Sequence, residues 1–317
     1  MRAEERTEVK SQEPKAKARN GACPKANGDR RKAFATLRVR PVTMADKPAV
    51  MRISSRIWEG NDYVPSFFGR WAREGGFWAG ELRGRLVGYG KATELAPGEL
   101  WLEGLRVDPN CRNRGVGKEL SRQVVYRTLK RRPASLRLAT ADLNHESIHI
   151  IETVMGFKLY AQYRFFVGTP PKPRPGPALA APTVAKALDF IKRSAELTAS
   201  RGLLASTWLF RSLDRRYLAE LVRCGYVFGY STAGKLTGLL VLRPHRYRGN
   251  DLDISFVGGD RQVLAAFRSF LSRVAHDCGT KNISGMAASD EMAKALQSLG
   301  MKPHPHISKV LVYEYPI

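Results

Sequence analysis

The sequence lacks several features that would point to particular classes of protein. Only four cysteines occur in 317 residues, far apart and in none of the short spacings typical of metal sites. We therefore expect reduced thiols rather than a disulfide framework. No apolar run approaches the roughly 18 residues of a membrane span, and the N-terminus has no signal-peptide core. These absences favour a soluble, cytoplasmic protein without a membrane partner.

Acidic residues are scarce relative to basic ones, with 53 Lys and Arg against 29 Asp and Glu and a formal net charge of +24. Such a charge suits an acidic partner, such as nucleic acid or a polyanionic cofactor, although a general bias in surface composition explains it equally well. Residues 1–35 carry ten basic and five acidic residues, so most of the excess lies elsewhere. The chain has no interleaved aromatic and basic motif of the kind that RNA-binding sheets carry. Nucleic acid therefore remains an alternative partner only.

Composition divides the chain into four segments. The polar, charged stretch 1–35 cannot bury enough surface to offset its ordering entropy, and we predict that it is disordered. Residues 169–182 are rich in proline, which removes amide donors and favours extended backbone, so they are predicted to be a linker. A first domain then occupies 36–168 and a second domain 183–317.

Hydrophobic patterning in the first domain predicts strand, helix, hairpin, strand, helix, strand, helix, strand, which is an α/β layered fold. Part of the same order recurs in the second domain, where "AGKLTG" parallels "RGRLVG" of residues 83–88. The pattern favours an internal duplication. The alternative is that any two α/β domains look alike at this level of detail.

The stretch "CRNRGVG" (residues 111–117) combines positive charge and glycine between a predicted strand and the start of a helix. The first amides of a helix have no internal partner and the helix dipole is positive there, so adjacent amides can hold a pyrophosphate. The glycines allow close approach of a ligand to the backbone. Neither the P-loop nor the Rossmann spacing fits, and in an arginine-rich chain such a cluster also arises by chance.

The surrounding residues give the loop a context. "LEGLRVDPNCRNRGVGKEL", followed by a strand, "NHES", a short helix and "GF", resembles the acyl-CoA-binding core of the GNAT N-acetyltransferase superfamily over residues 36–168. The resemblance implies a mixed, mostly antiparallel sheet flanked by helices, with acetyl-CoA as the acyl donor. The residues it assigns to the donor are Leu105, Arg106, Val107, Arg112, Asn113, Arg114, Gly115, Val116, Gly117, Lys118, Asn144 and Ser147.

A narrower similarity concerns "IWEGNDYVPSFFGRW" and "WLEGLRVDP", which resemble histidine N-acetyltransferases with a second, degenerate GNAT-like half. In the second domain the corresponding loop is Gly258-Gly259-Asp260-Arg261, where Asp260 places a negative charge at the pyrophosphate position. We therefore expect tandem GNAT-like folds of which only the first binds acetyl-CoA, while the second completes the sheet or walls the substrate cleft. The acceptor is expected to be a primary amine of a small molecule, such as a free amino acid. A protein acceptor is the alternative, and like charge disfavours polyamines.

Glu103 is the candidate general base, because an amine attacks a thioester only after losing its proton. By strand alternation it should share a face with Leu105 and Val107, and burial could raise its pKa into a useful range. A backbone amide near Val107 would stabilise the developing oxyanion. Alternatively, Glu103 pairs with one of the many arginines.

Three residues of the loop "WEGNDYVP" are candidates for binding the acceptor. Glu59 and Asp62 could attract its ammonium group, and Tyr63 could pack against its body. A solvated, helix-ending turn is the equally weighted alternative.

The resemblance leaves the acid that protonates the leaving thiolate unassigned. Family members often place a tyrosine where this chain has Ile151 or Glu152, so the usual acid is either missing or supplied from elsewhere. Tyr63, Tyr160 and Tyr163 are candidate substitutes, although a packing role suits each of them better. His145 and His149 have the spacing of a helix-borne metal pair but no third ligand nearby, and no metal is expected.

Overall fold

The structure is a computed structural model that describes Cys23 and residues 37–317. Apart from Cys23, the segment 1–35 predicted to be disordered lies outside the described residues. No helix in the described part is long and apolar enough to cross a membrane.

The first half of the chain alternates strands and helices in the predicted order, with an additional helix before the hairpin. Its elements are β1 (Arg38–Pro41), α1 (Lys47–Ser54), α2 (Val64–Glu74), β2 (Phe77–Leu82), β3 (Arg85–Ala96), β4 (Glu99–Val107), α3 (Val116–Leu129), β5 (Ser135–Ala141), α4 (His145–His149) and β6 (Lys158–Gly168). The hairpin turn is where expected, because Arg83 and Gly84 both adopt positive φ as such a turn requires.

The second half repeats much of this order. Its elements are α5 (Val184–Lys192), α6 (Ala195–Ala199), β7 (Leu203–Ser206), β8 (Leu209–Ser212), α7 (Arg215–Arg223), β9 (Val227–Thr232), β10 (Lys235–Pro244), β11 (Leu252–Gly258), α8 (Arg261–Asp277), β12 (Ile283–Ala287), α9 (Asp290–Ser298), β13 (Lys302–Pro303) and β14 (Lys309–Glu314). The series α2–β2–β3–β4–α3–β5–α4 thus recurs as α7–β9–β10–β11–α8–β12–α9. The predicted tandem α/β arrangement is confirmed.

One large sheet joins the two halves, in the order β1-β2-β3-β4-β5-β14-β6-β12-β11-β10-β9. Its β4–β5 and β11–β12 pairs are parallel, and its other described pairs are antiparallel. Helix α3 packs on one face of the first half through Leu120 and Val124, and α2 packs on the opposite face through Trp71. The sheet is therefore mixed, mostly antiparallel and flanked by helices, as predicted.

The two halves exchange strands at the centre of this sheet. β14, from the end of the second half, lies between β5 and β6 of the first half. The first part of β6 pairs with β14 up to Arg164, and its last part pairs with β12 from Arg164 to Gly168. No local pattern in the sequence indicates this insertion, because the pairing joins segments far apart in the chain. The predicted boundary at 168 consequently runs through a continuous sheet.

A disulfide corrects the expectation of four reduced thiols. Cys23 and Cys111, 88 residues apart, are bonded and buried beside Leu82, Val87 and Val116. Pairing over such a distance has no signature in local spacing. Cys224 and Cys278 are free and exposed, as expected.

Candidate active site

The central feature of the first half is an opening between β4 and β5. Their recorded pairing ends at Trp101 opposite Arg137, although both strands continue beyond these residues. The divergence leads into a cleft of about 1410 Å³ lined by residues of both strands and of both halves of the chain. The unpaired edge of β4 offers backbone donors and acceptors to an extended ligand.

A β-bulge at Gly104 corrects the predicted orientation of β4. The β3–β4 register pairs Lys91 with Glu103 but Tyr89 with Arg106, so one extra residue shifts the alternation. Gly104 has a φ of +64°. The indole of Trp71 lies against it, where a Cβ would be only 2.9 Å from the ring, so glycine is required.

After this bulge, Leu105 and Val107 lie on the α3 face of the sheet. The side chain of Leu105 contacts Gly90 beside Val124, and Val107 contacts Gly117. Glu103 instead lies on the α2 face, together with Arg106. The expected common face for Glu103, Leu105 and Val107 is therefore wrong, because simple alternation does not survive a bulge.

The N-terminus of α3 has the features expected of an anion site. Its N-cap, Gly115, has a φ of +75°, and no side chain caps the helix, which leaves the first amides available. Gly117 faces Val107 at the end of β4, with ordinary van der Waals space at its Cβ position. The loop and the open edge of β4 therefore meet at one place, as the resemblance implied.

The charged residues of this loop point to solvent. Arg112, Asn113, Arg114 and Lys118 are exposed, whereas Val116 is buried and anchors the helix start. Asn113 adopts a φ of +57°, a region in which asparagine is more common than most residues. Cys111, directly before the loop, is fixed by its disulfide. Solvent-exposed cations beside uncapped amides suit a phosphate ligand.

The equivalent helix of the second half has a side-chain cap at its N-terminus. Asp260 caps α8 by accepting a hydrogen bond from the amide of Val263 at 2.9 Å. Gly259 packs against Val263, where a Cβ would lie 2.5 Å from its side chain. The carboxylate of Asp260 thus accepts a hydrogen bond from one of the amides that a bound anion would use.

Asn144 and Ser147 lie at the other wall of the cleft. The Asn144 side chain caps α4 by accepting a hydrogen bond from the Ser147 amide at 3.2 Å. Their three-residue spacing is thus an N-cap, which turns the chain at the end of β5. From Ile150 to Val154 the helix continues as a π-helical turn.

Glu103 lines the cleft, and its side chain is only 4% exposed. Its Oε1 accepts hydrogen bonds from Thr93 Oγ1 at 2.5 Å and from Nη2 of Arg246 at 3.2 Å. Its buried Oε2 has no hydrogen-bond partner among the described residues. The expected alternative, a pairing with an arginine, is thus present, but it uses only one of the two oxygens.

The loop residues predicted to bind the acceptor separate into distinct roles. Asp62 is buried and forms a 2.8 Å ion pair with Arg106, so its charge is already balanced. Glu59 is exposed and not among the residues that line the cleft. Trp58, which does line it, stacks with the Arg106 guanidinium at 4.4 Å from the ring centroid.

Tyr63 does face the cleft. Its hydroxyl oxygen accepts a hydrogen bond from the Gly104 amide at 3.1 Å, which leaves its own proton available as a donor. Burial raises the pKa of Tyr63 to about 12, although the charge of Arg106 opposes this. The phenol therefore keeps its proton at neutral pH.

The other two tyrosines considered for protonating the thiolate are not in the cleft lining. Tyr160 donates to the Arg201 carbonyl, and Tyr163 is buried against Leu203 and Phe210. Glu152, one of the two positions where family members often have a tyrosine, accepts a hydrogen bond from Tyr313 of β14 at 2.8 Å.

His145 and His149 lie on exposed helix α4. Within the part of the chain that the structure describes, no group of three or more His, Cys, Asp or Glu side chains could hold a metal ion.

The second half supplies a wall of the cleft that the sequence did not reveal in detail. The loop between β10 and β11 carries His245, Tyr247 and Arg248 into the lining. The Tyr247 ring lies 4.5 Å from that of Tyr63. Burial raises the pKa of Tyr247 well above its usual range, and the nearby charge of Glu103 adds to this. Burial lowers the pKa of His245, as does the charge of Arg248.

Part of the first half matches a known protein family. Residues 48–157 match the model of the acetyltransferase (GNAT) family. This segment contains the divergent strands β4 and β5 and the uncapped N-terminus of α3, so the first half has the GNAT acetyltransferase fold. Among curated proteins, no sequence matches the chain.

Solved structures are similar over nearly the whole chain. A GCN5-related N-acetyltransferase from Sphaerobacter thermophilus is 14% identical, with a TM-score of 0.61, over 88% of this chain and 95% of its own. A putative acetyltransferase from Thermoplasma acidophilum is 16% identical, with a TM-score of 0.56, over 88% and 100%. A tandem GNAT protein from the clavulanic acid biosynthesis pathway, without AcCoA, is 16% identical, with a TM-score of 0.51, over 88% and 98%. At such identities the likeness concerns the fold alone, including its tandem form.

Proposed function

We propose that the protein is an acetyl-CoA-dependent N-acetyltransferase whose acceptor is a primary amine of a small molecule, such as a free amino acid. The observation that carries this proposal is the meeting of the uncapped N-terminus of α3 with the open edge of β4. Both features suit an acyl-CoA. Its pyrophosphate can accept hydrogen bonds from helix amides, and the amide groups of its pantetheine arm can form hydrogen bonds with an unpaired strand edge. The GNAT match over residues 48–157 supports the same assignment.

The residues present fit acetyl-CoA. The amides around Asn113 to Lys118 would hold the pyrophosphate, with Arg112 and Arg114 at its rim. The main chain at Leu105, Arg106 and Val107 would pair with the pantetheine arm, beside the wall formed by Asn144 and Ser147. When bound, acetyl-CoA supplies an acetyl thioester at the inner end of the cleft.

Glu103 would act on the acceptor. The free Oε2 would accept a proton from the ammonium form of the amine, directly or through a water molecule. The neutral amine nitrogen would then form a bond to the acetyl carbonyl carbon while the carbon–sulfur bond breaks and the thiolate takes up one proton. The nitrogen would lose its second proton to the group that protonated the thiolate, which restores that donor, and Glu103 would pass the first proton to solvent. Tyr63, which keeps its proton at neutral pH and faces the cleft, is our candidate donor to the thiolate.

A small acceptor is favoured over a protein by the acceptor side of the cleft. Tyr247 of the second half packs against Tyr63 and Phe67, with ring centroids 4.5 and 5.5 Å away. A polypeptide acceptor would need an open groove at this position. The resemblance to histidine N-acetyltransferases makes histidine one acceptor to test first.

A thiol-release screen tests the proposal, with acetyl-CoA as donor and the free amino acids, simple amines and a lysine-containing peptide as acceptors. We expect turnover with at least one small amine and not with the peptide. In Glu103→Gln, kcat should fall by about 10²–10⁴-fold, whereas acetyl-CoA affinity should be unchanged. Glu220→Gln, which alters an ion-paired glutamate outside the cleft, is the matched control. An equal loss of turnover and affinity in Glu103→Gln would refute the base role.

The competing nucleic-acid hypothesis has a separate test. Filter binding of RNA and DNA across a range of salt concentrations measures the electrostatic contribution to binding. Steeply salt-dependent binding, combined with no acetyl transfer to any acceptor, would overturn the enzymatic assignment.

A further inference from the structure

The two halves differ in the connection between corresponding strands, β3–β4 in the first half and β10–β11 in the second. In the first half, β3 and β4 are joined by the tight turn Pro97-Gly98, whereas in the second half the residues between Pro244 and Leu252 form a longer loop. We call residues 245–251 the inserted loop. It belongs to the second half, yet it reaches the cleft that the first half lines with β4 and β5.

The inserted loop is held in a defined conformation. The His245 amide donates to the Asp251 carbonyl at 2.7 Å, and the Asp251 amide donates to the Arg248 carbonyl at 2.8 Å. The amide of Arg246 donates to Thr207 Oγ1 at 3.4 Å. These bonds define the conformation at the base of the loop, from which its central side chains project.

The central side chains contact residues assigned above to catalysis. The Arg246 guanidinium binds Glu103 Oε1 at 3.2 Å and lies over the rings of Phe67 and Tyr247 at 5.3 and 5.4 Å. Because Thr93 binds the same oxygen, Oε1 is fully engaged. Oε2 is buried and forms no hydrogen bond of normal geometry with the described residues, although the Tyr247 hydroxyl is close enough to interact with the carboxylate.

We propose that Arg246 is a positioning residue through which the second half orients the catalytic carboxylate of the first. A buried carboxylate without a countercharge is costly, and Arg246 supplies that countercharge to Glu103. By binding one oxygen only, it fixes the rotamer and leaves the other oxygen for the acceptor's ammonium group. The second half is thus a working part of the active site, and this inference rests on the proposed base role of Glu103.

The test is a double-mutant cycle between Arg246→Met and Glu103→Gln, with wild-type turnover of acetyl-CoA and free amino acids as the reference. Arg246→Met should lower kcat by about tenfold to a hundredfold, in line with the loss of a charged hydrogen bond. Acetyl-CoA affinity, measured by calorimetry, should not change. In the Glu103→Gln background, Arg246→Met should cause no further loss, because it acts through Glu103.

Arg211→Met is a matched control. Arg211 also belongs to the second half, pairs with a glutamate at 3.3 Å and is 17% exposed, against 3.2 Å and 15% for Arg246. Its variant should keep wild-type kcat. Arg246→Lys should recover part of the activity, since lysine restores the charge without the planar fork.

The outcomes separate the two proposals. A wild-type protein that acetylates no acceptor would refute the proposed function itself. With an active wild type, multiplicative losses in the double variant, or full activity in Arg246→Met, would overturn the positioning role alone. If Arg246→Met does not fold, the double variant, which removes both charges together, is compared with Glu103→Gln instead. A lower kcat in the double variant than in Glu103→Gln would again overturn the positioning role.

Discussion

Gly115 allows the sharpest test of the proposed acetyl-CoA site. It caps α3 with a φ of +75°, where a residue other than glycine costs about 1–3 kcal/mol. Glutamate at this position would also place a negative charge beside the amides that should hold the pyrophosphate. Two unit charges about 6 Å apart repel by about 3 kcal/mol at an effective dielectric constant of 20. Gly115→Glu should therefore weaken acetyl-CoA binding by at least about a hundredfold.

Gly234 provides the control for the backbone effect. It lies in the β9–β10 hairpin with a φ of +76° and nothing within 4 Å of its Cβ position. Gly234→Glu thus carries the same conformational penalty and charge, but away from the α3 loop. Denaturant unfolding should show a similar loss of stability in both variants, and calorimetry should show lost acetyl-CoA binding in Gly115→Glu only. Wild-type affinity in Gly115→Glu, or an equal loss in both, would refute the assignment of the loop.

Three further predictions concern other parts of the fold. Hydrogen bonds from Arg40 lower the pKa of Asp46 to about 2. The ionised carboxylate should therefore add about 2 kcal/mol to the free energy of unfolding above pH 4, and this contribution should be lost as the pH falls towards 2. In Asp46→Asn, the free energy of unfolding should not show this decrease between pH 4 and 2. Cys23→Ser should lower the free energy of unfolding by about 2–4 kcal/mol by opening the link to Cys111, and a thiol reductant should then have no additional effect. Asp260→Ala should cost about 1 kcal/mol as a lost helix cap, while calorimetry still finds one acetyl-CoA per chain; a second bound equivalent would show that the cap alone closes that site.

The local features of the first half could be predicted because their signals are local. The turn at Arg83-Gly84 and the start of α3 at Gly115 each follow from the conformational preferences of a few neighbouring residues. The GNAT resemblance extended these signals to a fold. For Glu103, the sequence indicated both the base role and the arginine pairing.

Features that depend on non-local contacts could not be predicted in this way. The bulge at Gly104 changes which side chains of β4 face α2. Because both faces of this strand are covered, its residues do not alternate clearly between apolar and polar, and an extra residue leaves no visible break in the hydropathy pattern. The Cys23–Cys111 disulfide and the insertion of β14 join distant segments without a local pattern. Arg246 was one arginine among many, although the unequal lengths of the two duplicated hairpins, visible in the sequence, could have directed attention to it.

The position of β14 also has a consequence for how the protein is made. Arg137 of β5 and Glu314 of β14 form an ion pair although they are 177 residues apart in sequence. While the ribosome translates the second half, β14 has not been synthesised. The edges of β5 and β6 that pair with it are therefore unpaired during this time. The sheet that carries the cleft is therefore finished last, so chains that are cut short or stalled before residue 309 should have no acetyltransferase activity and should be prone to aggregation and removal.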